Sequence, residues 1–250
     1  MSVSYKNPEF ELIPCPICGG QEFTHLFHKK KEPFVRCIQC HFTLINPRPS
    51  FEQIVKTYDS VYSGNYTKKA GKKRKRALRR VKRLKNSYGL FGNWLDVGCS
   101  AGFVVEAAQS QGFFGYGIDI EAGGLAYGKK ELGLSNLIEG TLGEHQYPNQ
   151  FFDVISAYDV IEHVPDLNLF LTEIKRILKP HGIVDIGTPD IAHWRVPKKL
   201  STWNEFKPSE HLYYFNKDTL GKLLEKNNLK IVNQRLSLKP GLKVTISHAT

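Results

Sequence analysis

Four cysteines occur as two closely spaced pairs near the start of the chain. Two residues separate Cys15 from Cys18, two separate Cys37 from Cys40, and eighteen lie between the pairs. Each Cys-x-x-Cys turn presents two thiolates, and in a reducing compartment such pairs indicate a metal site rather than disulfides. The spacing therefore predicts zinc held by all four thiolates, with His41 as an alternative ligand. Because a filled coordination shell leaves no open position, this zinc is expected to be structural.

A second pattern lies at residues 94–102, where an apolar run ends in a glycine-containing turn before a helical segment. Gly98 and Gly102 would let a ligand approach the backbone closely. A dinucleotide fingerprint starting at Gly98 needs glycine at positions 100 and 103, where the chain has Ser100 and Phe103. The Gly-Lys-Ser or Gly-Lys-Thr ending of a phosphate-binding loop is absent here too. Both of these nucleotide-binding interpretations are weakened.

A carboxylate stands at the end of the next apolar run. The segment Tyr116-Gly117-Ile118-Asp119 follows the turn and ends in that carboxylate, seventeen residues past Gly102. An acid at the tip of this strand can accept both hydroxyls of a ribose, whereas a solvated aspartate is the alternative. The spacing predicts a nucleoside-like ligand at the carboxyl ends of the strands.

The elements that position these residues follow an alternating pattern. From Trp94 onward, short apolar runs alternate with amphipathic segments, as in a parallel sheet covered on both faces. Strands are predicted near 94–97, 114–119, 136–139, 153–157, 182–187, 229–235 and 242–248, and helices near 102–111, 121–132, 166–178 and 217–227. The predicted fold class is α/β, a doubly wound, seven-stranded, mostly parallel sheet with a small N-terminal zinc ribbon.

Three units are expected along the chain: a zinc-binding ribbon at 12–48, a basic helical connector at 51–90, and the sheet domain at 91–250. In the connector, apolar residues recur at helical steps of three or four. Twelve Lys or Arg and no acid lie between Lys68 and Lys85, and subtracting them from the net charge of +11 leaves −1 for the remainder. Such a run suits either a solvated helix or contact with phosphates.

The sheet domain resembles a known enzyme family. LDVGCSAG, GYGIDI, FFDVISAYDVIEHV and LKPHGIVDIGTP are similar, in order and spacing, to the motifs of seven-stranded (class I) S-adenosylmethionine-dependent methyltransferases. The resemblance covers about residues 90–250 and implies S-adenosylmethionine as cofactor. It implies that Asp119 holds the ribose and that Ile120 and Leu142 lie at the adenine. Asp96, Gly98 and Gly102 would surround the methionine end, and Tyr158 or Asp159 would line that side. Cys99 and Ser100 of the same turn are also expected at the cofactor. Cys99 is expected to act as a small packing residue in this turn.

The N-terminal pattern CPICGG…RCIQCHFTLINPRP resembles the zinc module that precedes certain methyltransferases, including sugar C-methyltransferases acting on nucleotide-linked keto-deoxysugars. The segment from Glu210 to Phe215 is similar to the Glu-His-x-x-x-Phe segment of those sugar enzymes, whose histidine is the general base. The resemblance implies His211 as base, with Glu210 orienting it or contacting substrate. His163 is the second candidate base. Alternatively, His211 packs the following helix, whose N-cap is expected at Asn216.

The sequence thus predicts transfer of a methyl group from S-adenosylmethionine to a small molecule, a sugar or related biosynthetic intermediate, with a nucleotide-linked sugar among the candidate substrates. The aromatic-rich segment 188–215 is expected to form a substrate lid. Two alternatives stay open: an RNA base methyltransferase that uses the basic helix and zinc module, and a non-catalytic cofactor-binding or interaction protein. The lack of a membrane-spanning apolar stretch and of a signal-peptide pattern predicts a cytoplasmic protein without membrane association. The sequence does not indicate an oligomeric state.

Overall fold

The computed structural model describes residues 10–50 and 69–249. Within them, the helices are α1 (Ala70–Tyr88), α2 (Phe103–Ser110), α3 (Ala122–Leu132), α4 (Leu167–Ile177) and α5 (Lys217–Lys226). The strands are β1 (Phe10–Glu11), β2 (Phe23–Lys29), β3 (Glu32–Cys37), β4 (Thr43–Ile45), β5 (Arg48–Pro49), β6 (Asn93–Val97), β7 (Phe114–Asp119), β8 (Leu137–Glu139), β9 (Phe152–Tyr158), β10 (Leu178–Thr188), β11 (Tyr213–Tyr214), β12 (Leu229–Arg235) and β13 (Leu242–His248). The part of the predicted connector at 51–68 lies outside the described residues.

A seven-stranded sheet forms the centre of the fold, in the order β12-β13-β10-β9-β6-β7-β8. The strands from β10 to β8 run parallel, and β13 runs antiparallel to both of its neighbours. This confirms the predicted α/β class. The strand β10 begins at Leu178, four residues before the predicted start at 182, and a register irregularity separates that first pairing from the rest of the strand.

The strand order places a ligand crevice between β6 and β9. From β6 the chain moves outward through β7 and β8, and then returns to lie on the other side of β6 as β9. In open parallel sheets, ligands bind at the carboxyl ends of the strands where the winding direction reverses. The predicted glycine turn follows β6 directly, so the fold brings this turn to the reversal point.

The helix α1 covers one face of the sheet next to α2. Its buried residues are Ala77, Val81 and Leu84, and they pack in a cluster with Trp94 and Phe103. The helix ends at Gly89, which has a φ of 62°, a left-handed conformation that favours glycine, and donates its N–H to the carbonyl of Lys85. The predicted apolar stripe of the basic segment therefore faces the core.

The ribbon forms a second sheet that includes a strand from far along the chain. Its order is β11-β4-β3-β2, and Tyr213 and Tyr214 of β11 pair with Leu44 and Thr43 of β4. The two sheets are thus joined through the segment that follows β10. Among the described residues, no helix combines the length and apolar character needed to cross a membrane.

The aromatic residues of segment 188–215 anchor it to the ribbon. Phe206 is fully buried and contacts the rings of Phe27, Phe34, Trp203 and Tyr214 at centroid distances of 4.3–5.6 Å. Aromatic side chains bury large areas, and edge-to-face pairs add to that gain. The predicted lid is therefore corrected: most of these aromatics pack against the ribbon instead of standing over a ligand.

Replacing Phe206 with alanine tests this packing. Loss of a fully buried phenylalanine costs about 3–5 kcal/mol of unfolding free energy. Phe91→Ala is the matched control, because this ring is 79% exposed, and its removal should change stability by less than about 0.5 kcal/mol. Denaturant unfolding measures both. Equal small losses for the two variants would contradict the proposed anchoring role.

Candidate active site

A cavity, termed the cofactor cavity, lies at the carboxyl ends of β6 and β9. Six of the residues predicted to meet the cofactor line it: Asp96, Gly98, Cys99, Ser100, Tyr158 and Asp159. The other four predicted residues, Gly102, Asp119, Ile120 and Leu142, are not among its lining. The cavity therefore collects the residues implied for the methionine end of the ligand, except Gly102.

The turn after β6 needs small residues for two separate reasons. Gly98 has a φ of 69°, and a Cβ there would lie 2.4 Å from Cγ2 of Val160. Gly102 has a φ of 77°, and a Cβ would lie 2.5 Å from Cδ1 of Leu134. Ser100 adopts a left-handed φ of 47°. Gly102 thus serves packing of the helix start, and Gly98 keeps the turn tight beneath the cavity.

Asp119 holds this turn against the end of β7. Its Oδ2 accepts the backbone N–H of Ser100 at 2.7 Å, and its Oδ1 accepts the N–H of Glu121 at 2.9 Å. Burial raises the pKa of this carboxyl, although the N–H donors oppose the rise. The acid is therefore fixed one hydrogen bond from the cavity lining. Leu142 is 4% exposed and belongs to the core.

A row of four buried polar residues crosses the sheet beneath α1: Asp96, Ser156, Asp185 and Thr245, termed the polar row. They lie side by side on β6, β9, β10 and β13, because Asp96 pairs with Ser156, Ser156 with Asp185, and Asp185 with Thr245. Ser156 donates to Oδ1 of Asp96 at 2.6 Å. Burial raises the pKa of Asp96 to about 7. Sequence reasoning missed this row, although Asp96 and Asp185 each stand as a polar residue inside an apolar run.

Within the polar row, Asp185 accepts the most hydrogen bonds, and its side chain has no exposed surface. Its carboxylate accepts hydrogen bonds from Arg83 at 2.8 Å, Arg235 at 2.9 Å, the Tyr158 hydroxyl at 2.8 Å and the Thr245 hydroxyl at 2.8 Å. Buried charges need such partners, since an unpaired ion in a low-dielectric interior is costly. Two arginines from different elements are thereby held at one point.

The basic helix contributes directly to the cofactor cavity. Lys73, Arg76 and Arg80 line it, and the Arg80 guanidinium lies over the Tyr158 ring, 3.7 Å from its centroid. These three cations and Arg83 recur at steps of three and four, on the flank of the apolar stripe. The interpretation of α1 as a plain solvated helix is therefore corrected for this face.

A second cavity, termed the adjoining cavity, continues from the first. Its volume is about 510 Å³, and it shares Arg76, Arg80, Tyr158 and Asp159 with the cofactor cavity. Thr188, at the end of β10, also lines it. Pockets of this size bind small organic ligands. A ligand in the adjoining cavity would lie beside the methionine end of a cofactor bound in the cofactor cavity.

The two candidate histidines come together with Glu162 behind Thr188. One ligand-type atom each of Glu162, His163 and His211 lies within 4.8 Å of the others, and the histidine rings are edge-to-face at 4.6 Å. The Thr188 hydroxyl donates a hydrogen bond to Oε2 of Glu162 at 2.9 Å. Two other atoms, Oε1 of Glu162 and Nδ1 of His211, are buried and have no hydrogen-bond partner among the described residues. These spacings suit proton sharing and would also admit a divalent cation.

Burial sets the proton affinities of this cluster. It raises the pKa of Glu162 to about 8 and lowers the pKa of His163 to about 4. Burial, followed by His163, lowers the pKa of His211 to about 2. Neither histidine nor Glu210 is among the residues lining the two cavities, and Glu210 meets the His163 ring through its backbone carbonyl. Asn216 caps α5, as predicted, with a reciprocal capping box to Thr219.

The four paired cysteines converge in the ribbon. The sulfur of Cys15 lies 3.4 Å from that of Cys40, the sulfur of Cys18 lies 3.5 Å from that of Cys37, and all four lie within 4.8 Å of one another. A tetrahedral zinc about 2.3 Å from each sulfur separates the sulfurs by about 3.8 Å. The donor set therefore fits zinc. His41, the alternative ligand, is exposed and is not part of this cluster.

Comparison with known proteins identifies the family. A family model described as "Methyltransferase domain" matches residues 66–234. The chain belongs to this methyltransferase family. The family match supports S-adenosylmethionine as the methyl donor, as the motifs of the sheet domain predict.

Its curated relatives include proteins named ubiquinone biosynthesis O-methyltransferase. The protein from Bradyrhizobium diazoefficiens is 28% identical over 178 residues, which is 63% of this chain and 67% of that protein. The protein from Rickettsia canadensis is 31% identical over 145 residues, 50% of this chain and 60% of that protein. The methyltransferase thus spans about three fifths of the length of several relatives that it matches.

Solved structures confirm the fold. An S-adenosylmethionine-dependent methyltransferase from Clostridium acetobutylicum has a TM-score of 0.55 at 14% identity, covering 80% of this chain and 99% of the other. A second from Leishmania major has a TM-score of 0.58 at 12% identity, covering 78% of this chain and 82% of the other. At these identities the likeness establishes the architecture alone.

The raised pKa of Asp96 predicts how cofactor affinity depends on pH. With a pKa of about 7, its ionised fraction rises from about one tenth at pH 6 to about nine tenths at pH 8. The ionised carboxylate attracts the positive sulfonium, so affinity for S-adenosylmethionine should rise up to about tenfold over this range. Calorimetric titration at several pH values measures it.

The control is Asp96→Asn, whose amide cannot ionise and should lose this part of the pH dependence. S-adenosylhomocysteine, which lacks the sulfonium charge, should respond less than S-adenosylmethionine in the unmodified protein. An unchanged pH dependence in the asparagine variant would assign the effect to another group.

Proposed function

We propose that the protein transfers the methyl group of S-adenosylmethionine to a small molecule bound in the adjoining cavity. The observation that carries this proposal is the shared wall of the two cavities: Arg76, Arg80, Tyr158 and Asp159 line both. Methyl transfer is an in-line displacement, and alignment of the two reactants alone contributes roughly 7–11 kcal/mol. Two cavities that meet at fixed side chains provide that alignment.

Cofactor binding is assigned to two parts of the cofactor cavity, the turn at Gly98 and Arg76, and to Asp119 beside it. Asp119, fixed by the N–H groups of Ser100 and Glu121, would accept the ribose hydroxyls. The turn at Gly98 would lie beneath the methionine portion. Arg76, which lines this cavity, is suited to pair with the cofactor carboxylate because guanidinium and carboxylate match in geometry. The cofactor supplies an already activated methyl group.

An oxygen nucleophile on a biosynthetic intermediate is the acceptor that we propose, with a sugar hydroxyl as one example. The curated relatives are named as O-methyltransferases, which supports oxygen over carbon. The RNA alternative loses its main argument, because the basic helix directs Arg83 to buried Asp185 and three further cations to the cofactor cavity.

Removal of the acceptor proton is assigned to Glu162 acting through Thr188. Thr188 lines the adjoining cavity and donates its hydroxyl proton to Glu162. As the acceptor oxygen forms its bond to the methyl carbon and the carbon–sulfur bond breaks, its proton would pass to Thr188, whose own proton passes to Glu162. A pKa near 8 suits a base at neutral pH better than the strongly lowered pKa of His211. His211 would then position Glu162.

Mass spectrometry of a metabolite extract tests the function. The full chain is incubated with the extract and S-adenosylmethionine carrying a deuterated methyl group, and a small molecule bearing the label is the expected product. The product identifies both the substrate class and the methylated atom. Binding of the cofactor without any labelled product across extracts from several growth conditions would contradict the proposal.

Two variants then separate the roles of the buried cluster. Glu162→Gln should lower labelled product formation by about 10²–10⁴-fold, and it should abolish the rise in kcat/KM toward pH 8 that an ionising base produces. His211→Ala should lower the rate while that rise remains. If His211 is itself the base, His211→Ala loses the pH response instead. Near-normal turnover in His211→Ala would exclude His211 both as the base and as the residue that positions Glu162.

His181→Gln is the control, since this histidine is exposed on β10, and it should leave turnover unchanged. Uptake of S-adenosylhomocysteine checks that each variant is folded. Added Mg²⁺ or Mn²⁺ should not alter product formation; stimulation would identify the Glu162 cluster as a cation site instead of a proton acceptor.

We further propose that the four cysteines bind one structural zinc. Because the ribbon strand β4 carries β11 as its neighbour, loss of zinc should destabilise the segment after β10 as well. The double variant Cys15→Ser/Cys40→Ser should not bind the metal. Its free energy of unfolding should fall by about 3–5 kcal/mol, which corresponds to a fall in Tm of roughly 10 °C. Elemental analysis and thermal unfolding measure these effects.

Cys99→Ala is the matched control, because Cys99 lies outside the ribbon, and it should retain one zinc per chain. Folded protein of full stability that contains no metal would contradict the assignment.

A further inference from the structure

The adjoining cavity has an unusual charge. Six cations line it, Arg76, Arg79, Arg80, Arg83, Arg235 and Lys243, whereas Asp159 is the one acid among its lining residues. Buried Asp185 lies beneath and binds two of the six. Four of the cations come from α1, and the other two face each other on β12 and β13, where Arg235 pairs with Lys243. The excess positive charge is thus concentrated around one concave space.

Several of these cations are held in place before any ligand arrives. Arg83 and Arg235 are tied to Asp185, and Arg80 is stacked on the Tyr158 ring. The same Tyr158 donates its hydroxyl to Asp185. A guanidinium whose rotamer is already fixed loses less entropy on binding an anion. The cavity is therefore preorganised for a negative group.

The cations also repel one another. Burial, followed by Arg235 and the arginines of α1, lowers the pKa of Lys243. Arg79 and Lys243 make no salt bridge to an acid of the described residues. Clusters of like charge destabilise a folded protein unless a counter-ion compensates them. A bound anion would provide that compensation.

We propose that the acceptor carries a phosphate or diphosphate ester, bound in the adjoining cavity by Arg79, Arg235 and Lys243 while its reacting hydroxyl faces Thr188. This inference rests on the proposed function, since it specifies the substrate class of the same site. A single carboxylate needs one guanidinium, whereas the several negative oxygens of a phosphate ester match several arginines at once. The volume of about 510 Å³ leaves room for the esterified group beside the anion.

Calorimetric titration of the full chain saturated with S-adenosylhomocysteine tests the inference. The probes are inorganic pyrophosphate, uridine diphosphate and a short single-stranded RNA, all at low salt. Pyrophosphate and the nucleotide should bind at one site per chain. Tighter binding of the nucleotide than of pyrophosphate would indicate an ester; equal affinity would indicate recognition of the phosphates alone.

The test variant is Arg79→Gln/Lys243→Gln, which should weaken pyrophosphate binding at least tenfold. The control, Lys75→Gln/Lys82→Gln, removes the same charge from exposed positions of α1 outside the cavity and should change the affinity less than twofold. Equal weakening in both variants would show attraction by the diffuse field of the helix and would overturn the proposal. Where the test variant fails to fold, Lys243→Gln alone decides: an unchanged Kd overturns the proposal, and weaker binding supports it.

The remaining outcomes separate this inference from the proposed function. Protein that takes up S-adenosylhomocysteine but neither pyrophosphate nor uridine diphosphate would overturn the anion site and leave the methyltransferase assignment standing. Failure to take up S-adenosylhomocysteine would overturn the proposed function itself. A third outcome is that RNA binds more tightly than the nucleotide and that both double variants weaken RNA binding equally. This result would indicate surface binding of a polyanion and would overturn the proposal.

Discussion

The burial of Asp185 constrains the rest of the active-site region. A carboxylate without exposed surface must find counter-charges and hydrogen-bond donors, and this one takes them from α1, β9, β12 and β13. Those four contacts fix the position of the basic helix relative to the sheet and the orientation of Tyr158. Because α1 and Tyr158 contribute to the walls of both cavities, this one buried carboxylate constrains the shape and the charge of the site.

The helix α1 combines two roles through its spacing. Ala77, Val81 and Leu84 bury its apolar stripe, and the cations beside that stripe reach the cavities and the polar row. A guanidinium on a long stem can lie at such a boundary, with its methylenes against the core and its charge at a polar neighbour. The same helix therefore contributes to stability and to ligand recognition.

The sequence allowed the sheet, the turn at Gly98, the position of Asp119 and the cysteine cluster to be predicted, because each depends on local spacing. The partners of the basic residues could not be predicted in that way. Periodicity shows which residues share a face of α1, but it does not show that Arg83 on this helix contacts Asp185, about a hundred residues later in the chain. The pairing of Tyr213 and Tyr214 with the ribbon was missed for the same reason, since a two-residue strand leaves no periodic signal.

The position of β13 within the sheet has a consequence for how the protein is made. This strand, residues 242–248, lies between β12 and β10, and it supplies Thr245 to Asp185 and Lys243 to the adjoining cavity. During synthesis from the N-terminus, every other described strand is translated before it. Until then, one edge of β10 is unpaired, and the carboxylate of Asp185 lacks the hydroxyl of Thr245. The wall of the adjoining cavity can therefore be completed only once this strand has been translated and has paired with β10 and β12.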